Sequence, residues 1–177
     1  MSEMLRFRAG VVLAALLLGA AGAPPAANPA LTQAASQAFM QSCVRFAGEP
    51  QALRGWAGRH GLKPIAGTPA EIYLFGLPGA VFAMPAGTGA VTLVSQDSGS
   101  CSVIAANARG PDLLRSVNAA LAAAGIGFTI TKDAIDPRAK DLHDRAYEAH
   151  RGERHWLMLV STAVDPAGGE AILTSNP

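Results

Sequence analysis

Residues 90–106, AVTLVSQDSGSCSVIAA, decide the fold class. Two β-rich runs, 90–95 and 100–106, flank Asp97-Ser98-Gly99, a sequence typical of tight turns. Similar short runs precede them at 71–75 and 80–83, again separated by Gly and Pro. Connections this short cannot hold parallel crossovers, so residues 64–106 predict antiparallel strands.

Apolar residues at helical spacing surround this strand-rich segment. In residues 31–47, Ala35, Phe39 and Cys43 recur every four positions, which predicts a helix with one inward face. Further helices are predicted over 50–61 and 111–124, each beginning near a proline and ending at or before a glycine. The sequence therefore predicts an α+β fold: an antiparallel β-sheet with two N-terminal helices and one mid-chain helix packed on one face.

The last third of the chain adds strands. Residues 126–131 alternate as a strand does, and 132–144 are interpreted as a charged connector. Gly152-Glu153 then predicts a two-residue turn of a β-hairpin. Its strands are expected over 145–151 and 154–164, with a last short strand over 171–174.

The first 30 residues are typical of an exported protein. Arg6 and Arg8 precede an apolar run at 11–18 and small residues at 19–23, which predicts a signal peptide over 1–23. A flexible Pro/Ala linker is expected over 24–30 and a single domain over 31–177. The alternative is a retained N-terminal anchor, although the run is shorter than the roughly 20 residues that span a bilayer.

Composition excludes several classes of protein. Of the 177 residues 50% are hydrophobic and only 15% are charged, which argues against a disordered chain. The formal net charge of +1 provides no large excess of positive charge to attract nucleic acid, so no nucleic-acid partner is expected. No stable membrane insertion is expected after signal cleavage.

The two cysteines, Cys43 and Cys101, predict a disulfide. In the oxidising environment outside the cytoplasm, a lone pair of cysteines is most simply one bridge. Cys43 lies on the inward face of the first predicted helix, and Cys101 lies on the inward face of a predicted strand. The alternative is a reactive thiol pair, which neither a C-x-x-C spacing nor an adjacent histidine supports.

The densest polar region is 136–155, at the predicted hairpin. A two-residue turn at 152–153 would place His150 and His155 opposite each other on one sheet face. Paired imidazoles can bind a divalent metal, with His143 or Glu148 as a third ligand. The alternative is a solvated hairpin tip whose charges protect an exposed edge. No other cofactor is expected.

Two further motifs are weaker. Ser98 would be exposed on a turn, but no G-x-S-x-G sequence surrounds it and no base can be assigned to it. Residues 85–89, PAGTG, could present backbone N–H groups to an anion, but they lack the lysine and the helix start of a phosphate loop. Both are interpreted as ordinary turns, and no catalytic residue is assigned.

Three features together carry a resemblance: the F-x3-C pattern of Phe39 and Cys43, the pair Gly55-Trp56, and the strand 97–103. In these the chain resembles small uncharacterised bacterial secreted proteins over about residues 35–106. The resemblance implies a periplasmic domain of unknown function and carries over no catalytic residue.

The sequence contains no complete catalytic set. We therefore expect a non-enzymatic periplasmic or secreted module, free of the membrane after signal cleavage, that binds a partner protein or a small ligand. The alternatives are a metal-assisted hydrolase that uses the 136–155 cluster and a membrane-tethered accessory subunit.

Overall fold

Eight strands form one antiparallel sheet in the computed structural model, which describes residues 28–86, 89–165 and 168–177. Across the sheet the order is β1-β2-β3-β4-β8-β7-β6-β5, and each neighbouring pair is antiparallel. The strands are β1 (Lys63–Ile65), β2 (Gly79–Ala86), β3 (Gly89–Gln96), β4 (Cys101–Ala108), β5 (Gly127–Ile135), β6 (Leu142–Arg151), β7 (Arg154–Ala163) and β8 (Gly169–Asn176).

Two hairpins lie where the turn residues predicted them. The β3–β4 hairpin pairs Ser95 with Cys101, and Gly99 takes a positive φ of 93° in its turn. The β6–β7 hairpin pairs Arg151 with Arg154, and Gly152 has a φ of 59°. A glycine takes this left-handed backbone without a steric penalty, so each turn forms at the expected residue.

Four α-helices accompany the sheet: α1 (Pro29–Phe39), α2 (Pro50–Arg59), α3 (Thr68–Leu74) and α4 (Gly110–Ala123). A π-helical segment, Met40–Val44, continues α1. Asn28 caps α1, since its Oδ1 accepts hydrogen bonds from the backbone N–H groups of Ala30 and Leu31. Each α-helix has a proline in its first turn, where the missing N–H costs nothing.

The predicted helix count and the predicted single helical face are both wrong, although the fold remains α+β. Helix α3 was not predicted, and it packs on the opposite face of the sheet from the other three helices. Ala70 of α3 contacts Val81 and Val94, whereas the neighbouring Phe82 and Leu93 face the main core. Each face of the sheet therefore has its own apolar cluster.

The physical reason for this error is the composition of α3. Residues 71–75, EIYLF, cover the end of α3 and its C-cap, and three of them, Ile72, Tyr73 and Phe75, are the β-branched and aromatic types that strands prefer. The helix nevertheless forms because Pro69 starts it and burial of Ala70 against the sheet stabilises it. Two strand boundaries also differ from the prediction: the short β1 was not predicted, and β5 continues through Ile135 into the predicted connector.

The main core lies between the sheet and helices α1, α2 and α4. It contains the disulfide between Cys43 and Cys101, whose Cα atoms are 5.2 Å apart and whose side chains are buried. Cys43 lies in the π-helical segment and Cys101 is the first residue of β4, so the predicted bridge ties the end of α1 to the middle of the sheet.

The predicted signal peptide, residues 1–23, lies outside the described residues, as do residues 24–27 of the predicted linker. Residues 29 and 30, the last of that linker, belong to α1. Within the part of the chain that the structure describes, no helix is long and apolar enough to cross a membrane.

Candidate functional site

A cavity of about 490 Å³ opens between the start of α4 and one end of strands β5, β6 and β7. This volume falls within the range of small-ligand sites, about 300–1,000 Å³. We call it the α4 cavity. It is lined by Pro111, Leu114, Arg115, Ile135, His143, Arg145, Thr162, Ala163 and Val164.

Strand register brings the polar lining residues onto one sheet face. In the β6–β7 ladder His143 pairs with Thr162 and Arg145 pairs with the buried Val160. Residues opposite each other share a face, so these side chains lie on the side that α4 covers. Gly110 lets α4 begin close to β7, since a Cβ there would lie 2.7 Å from the Thr162 Oγ1.

A β-bulge in β5 brings a carboxylate to the same face. Ile130 pairs with Tyr147, but the next paired residue is Lys132, so the register shifts by one residue. The shift reverses which side chains point inward. Asp133 consequently pairs with Arg145 and lies on the helix-covered face.

Asp133 bridges the two basic side chains of β6. Its Oδ2 accepts a 2.7 Å hydrogen bond from Arg145 Nη2, and its Oδ1 lies 3.0 Å from His143 Nε2. The hydrogen bond from Arg145 lowers the pKa of Asp133; partial burial opposes this, and the charges of Arg145 and His143 add to it. The same hydrogen bond raises the pKa of Arg145. Both carboxylate oxygens of Asp133 are therefore engaged.

The Arg145 guanidinium retains an unused donor. Its Nε is buried and makes no hydrogen bond within the described residues. The Tyr147 hydroxyl interacts with the same guanidinium through its charge and through a hydrogen bond, and both raise the pKa of Arg145. The same hydroxyl donates to Asn118 Oδ1 at 2.9 Å. Burial raises the pKa of Tyr147, so this hydroxyl remains protonated. Because the Nε is inaccessible to solvent, a ligand in the cavity would meet the exposed fifth of the Arg145 side chain and not this atom.

The rest of the cavity wall is mostly apolar. Pro111 and Leu114 come from α4, whereas Ile135 and Val164 are about half exposed at the ends of β5 and β7. Arg115 forms an ion pair with Asp112 one helical turn earlier. The cavity thus combines apolar surface with three basic side chains and one hydroxyl. No acidic side chain is among the described residues that line it.

The predicted histidine pair forms on the other face of the sheet. His150 and His155 are directly opposite in the β6–β7 ladder, and their rings stack with centroids 5.7 Å apart. The His150 ring lies over Gly127, where a Cβ would be only 2.3 Å from it. Glu148 is exposed on the same face, two residues along β6.

The structure does not bring His143 to this pair. His143 and His150 are seven residues apart on a regular strand, so their side chains point to opposite faces. His143 lines the α4 cavity instead. In the described ranges no three His, Cys, Asp or Glu side chains come together as a metal-binding group.

Asp144, in the same polar region, is buried on that second face. Its carboxylate accepts hydrogen bonds of 2.7 Å from Lys132 Nζ and from Ser161 Oγ. Burial raises the pKa of Asp144, but these two hydrogen bonds and the charges of Lys132 and His143 outweigh it, so the pKa lies below 3.8. This carboxylate of β6 is held in place by its partners and links β6 to both neighbouring strands, β5 through Lys132 and β7 through Ser161.

The weaker motifs remain turns where they are described. Ser98 lies in the β3–β4 turn, where its Oγ donates to Gln96 Oε1 at 3.5 Å and accepts from the Ser100 N–H at 3.3 Å. The neighbouring Asp97 is bound by Arg54 of α2 at 2.5 Å. Residues 87–88 of the PAGTG sequence lie outside the described residues.

Sequence reasoning missed Asp133, Arg145 and Thr162 as site residues. The opposite charges of β5 and β6 were visible, but their pairing depends on the bulge beside Ile130. Oppositely charged residues within two neighbouring strands were the signal in the sequence that could have predicted a site at this end of the sheet.

No family model, no curated protein and no solved structure matches this chain. The resemblance to small bacterial secreted proteins thus stays a prediction.

Proposed function

We propose that this chain is an exported, non-catalytic domain that binds a small ligand in the α4 cavity. The observation that carries the proposal is the composition of that cavity: apolar walls with a few convergent polar groups, the side chains of Arg115, His143, Arg145 and Thr162. Sites for small molecules commonly combine apolar area for affinity with a few polar groups for orientation.

Export to the periplasm or the medium is part of this proposal. The signal-like residues 1–23 and the buried disulfide between Cys43 and Cys101 both support it, because disulfides persist in oxidising compartments. Mass spectrometry of the exported protein is the test. A product that begins near residue 24 supports a free domain, whereas an intact N-terminus favours the membrane-tethered alternative.

The hydrogen-bond partners of His143 favour binding over catalysis. Its Nε2 contacts Asp133, an arrangement that can orient a catalytic base. Within the described residues, however, no serine, threonine or cysteine side chain donates a hydrogen bond to His143. The metal-assisted hydrolase alternative needs His150, His155 and a third ligand. The sheet places His143 on the opposite face from this pair, and within the described residues Glu148 does not complete a group of three metal ligands.

A cavity-filling variant provides the test. We would screen the exported protein by ligand-observed NMR against a library of small organic anions, cations and neutral compounds. Val164→Trp should block the cavity and abolish binding of the hits. Ile72→Trp is the control, since Ile72 is also an exposed aliphatic residue but lies on α3, on the opposite face of the sheet. Hits that bind both variants equally would contradict the proposal.

A further inference from the structure

We infer that the ligand of the α4 cavity is a monoanionic carboxylate with an apolar body. This inference rests on the proposed function and specifies the chemical class of the ligand. Its basis is the asymmetry of the lining: Arg115, His143 and Arg145 are basic, and no described lining residue is acidic.

The charge of the ligand is inferred from the ion pairs that the nearby carboxylates form. Asp133 has one oxygen on Arg145 and the other on His143, and it is not among the lining residues. Asp112 is paired with Arg115 and Arg109. Three arginines, Arg109, Arg115 and Arg145, thus share two carboxylates, which leaves room for about one more negative charge. A cationic ligand would meet basic side chains and no described acidic side chain at the cavity wall.

The polar head of the ligand is assigned to Arg145. This residue lines the cavity with about a fifth of its side chain exposed, and its guanidinium is held in place by the hydrogen bond from Nη2 to Asp133. Such a fixed guanidinium loses little further side-chain entropy when it binds a carboxylate. The paired residues His143 and Thr162 supply additional polar atoms at the same place.

The body of the ligand is assigned to the apolar wall. Leu114 from α4, Ile135 from β5 and Val164 after β7 line the remaining surface, and the last two are about half exposed. Covering them removes apolar area from water, which favours an alkyl or aromatic group. A strongly hydrated anion such as free phosphate would leave this wall exposed.

The experiment compares four probes that share one chain length: octanoate, 1-octanol, octyltrimethylammonium and octyl phosphate. Titrations followed by protein NMR at pH 7 give the four dissociation constants. Octanoate should bind about tenfold or more tightly than 1-octanol, because a charge-assisted hydrogen bond is worth about that factor. The cationic probe should bind most weakly of the four.

Arg145→Gln removes the positive charge of the guanidinium and should lower the affinity for octanoate to that for 1-octanol. The affinity for 1-octanol should not change, and this unchanged affinity shows that the variant is folded. Should Arg145→Gln not fold, Arg115→Gln on the exposed helix surface and His143→Gln serve the same purpose. Each should lower octanoate binding several-fold with 1-octanol unchanged.

The outcomes separate the two proposals. If 1-octanol or the cation binds as tightly as octanoate and Val164→Trp blocks both, the carboxylate inference is wrong and the cavity remains a binding site. Tighter binding of octyl phosphate would refute the single-charge argument. If octanoate does not bind while library hits remain sensitive to Val164→Trp, only the inference falls. If no compound shows that sensitivity, both proposals fall.

Discussion

Loss of the Cys43–Cys101 disulfide should lower the free energy of unfolding by about 4 kcal/mol. The bridge joins residues 58 positions apart. In the chain-entropy description, opening a loop of this length adds roughly 14 cal/mol/K to the entropy of the unfolded chain, which gives the stated value at 25 °C. The loss is a large fraction of the 5–15 kcal/mol that stabilises a typical domain.

Urea unfolding of the oxidised protein, of the reduced protein and of the double variant Cys43→Ala/Cys101→Ala measures this effect. Trp56 and Trp156 are only 5% and 6% exposed, so their fluorescence should report loss of the core. The reduced protein keeps both buried sulfur atoms, so its decrease in unfolding free energy measures the effect of the cross-link alone. The double variant adds the packing lost with the two sulfur atoms, so its midpoint should be lower still.

Reductant added to the double variant is the control, and it should not move the midpoint. If reduction of the native protein costs less than about 1 kcal/mol, the chain-entropy argument is refuted for this bridge. The stabilisation would then come from the packing of α1 against β4, which persists without the covalent bond.

Four further substitutions test three other parts of the structure. Gly79→Ala should destabilise the fold by several kcal/mol, since its Cβ would lie 2.6 Å from a strand backbone oxygen. Gly58→Ala, in open space on α2, should stabilise the fold by up to about 1 kcal/mol. Equal melting temperatures for the two variants would contradict this pair of predictions. Phe75→Gly should raise stability by about 1 kcal/mol, because Phe75 ends α3 with a left-handed φ of 52° and is exposed; a lower melting temperature would show that its side chain packs. Asp144→Asn should cost about 2 kcal/mol at pH 7. Because the pKa of Asp144 is lowered from 3.8, that contribution is present above this pH and disappears as the pH falls through the lower folded pKa; a pH-independent difference between variant and native protein would refute it.

Turn residues and core periodicity made much of this fold predictable. Gly99 and Gly152 sit where their hairpins require a left-handed backbone, and those hairpins fix the antiparallel topology. Cys43 and Cys101 each lie on an inward face that the local spacing revealed. Helix α3 was not predictable from propensity, because its stability comes from contacts across the sheet that no local window contains.

The candidate site was less accessible to sequence reasoning than the fold. Ile126, Phe128 and Ile130 set an alternation that, if continued, would direct Lys132 inward and Asp133 outward. The bulge after Ile130 leaves one residue of β5 unpaired, and this single residue reverses the facing of Lys132 and Asp133. The histidine pair, by contrast, depends only on a two-residue turn, and its opposed positions were predicted correctly.

The place of β8 in the sheet has a consequence for the order in which the molecule acquires its structure. Strands β1–β4 are neighbours in sequence and in space, as are β5–β7, but only β8 links the two groups, between β4 and β7. Cys101 pairs with Ser175, 74 positions later in the chain. A chain that folds from its amino end therefore holds two half-sheets with open edges until its last strand inserts between them. Since both cysteines precede β8, oxidation can fix the first half before that insertion. We expect the closing step to be the slow one, because it satisfies the most distant contacts in the sheet.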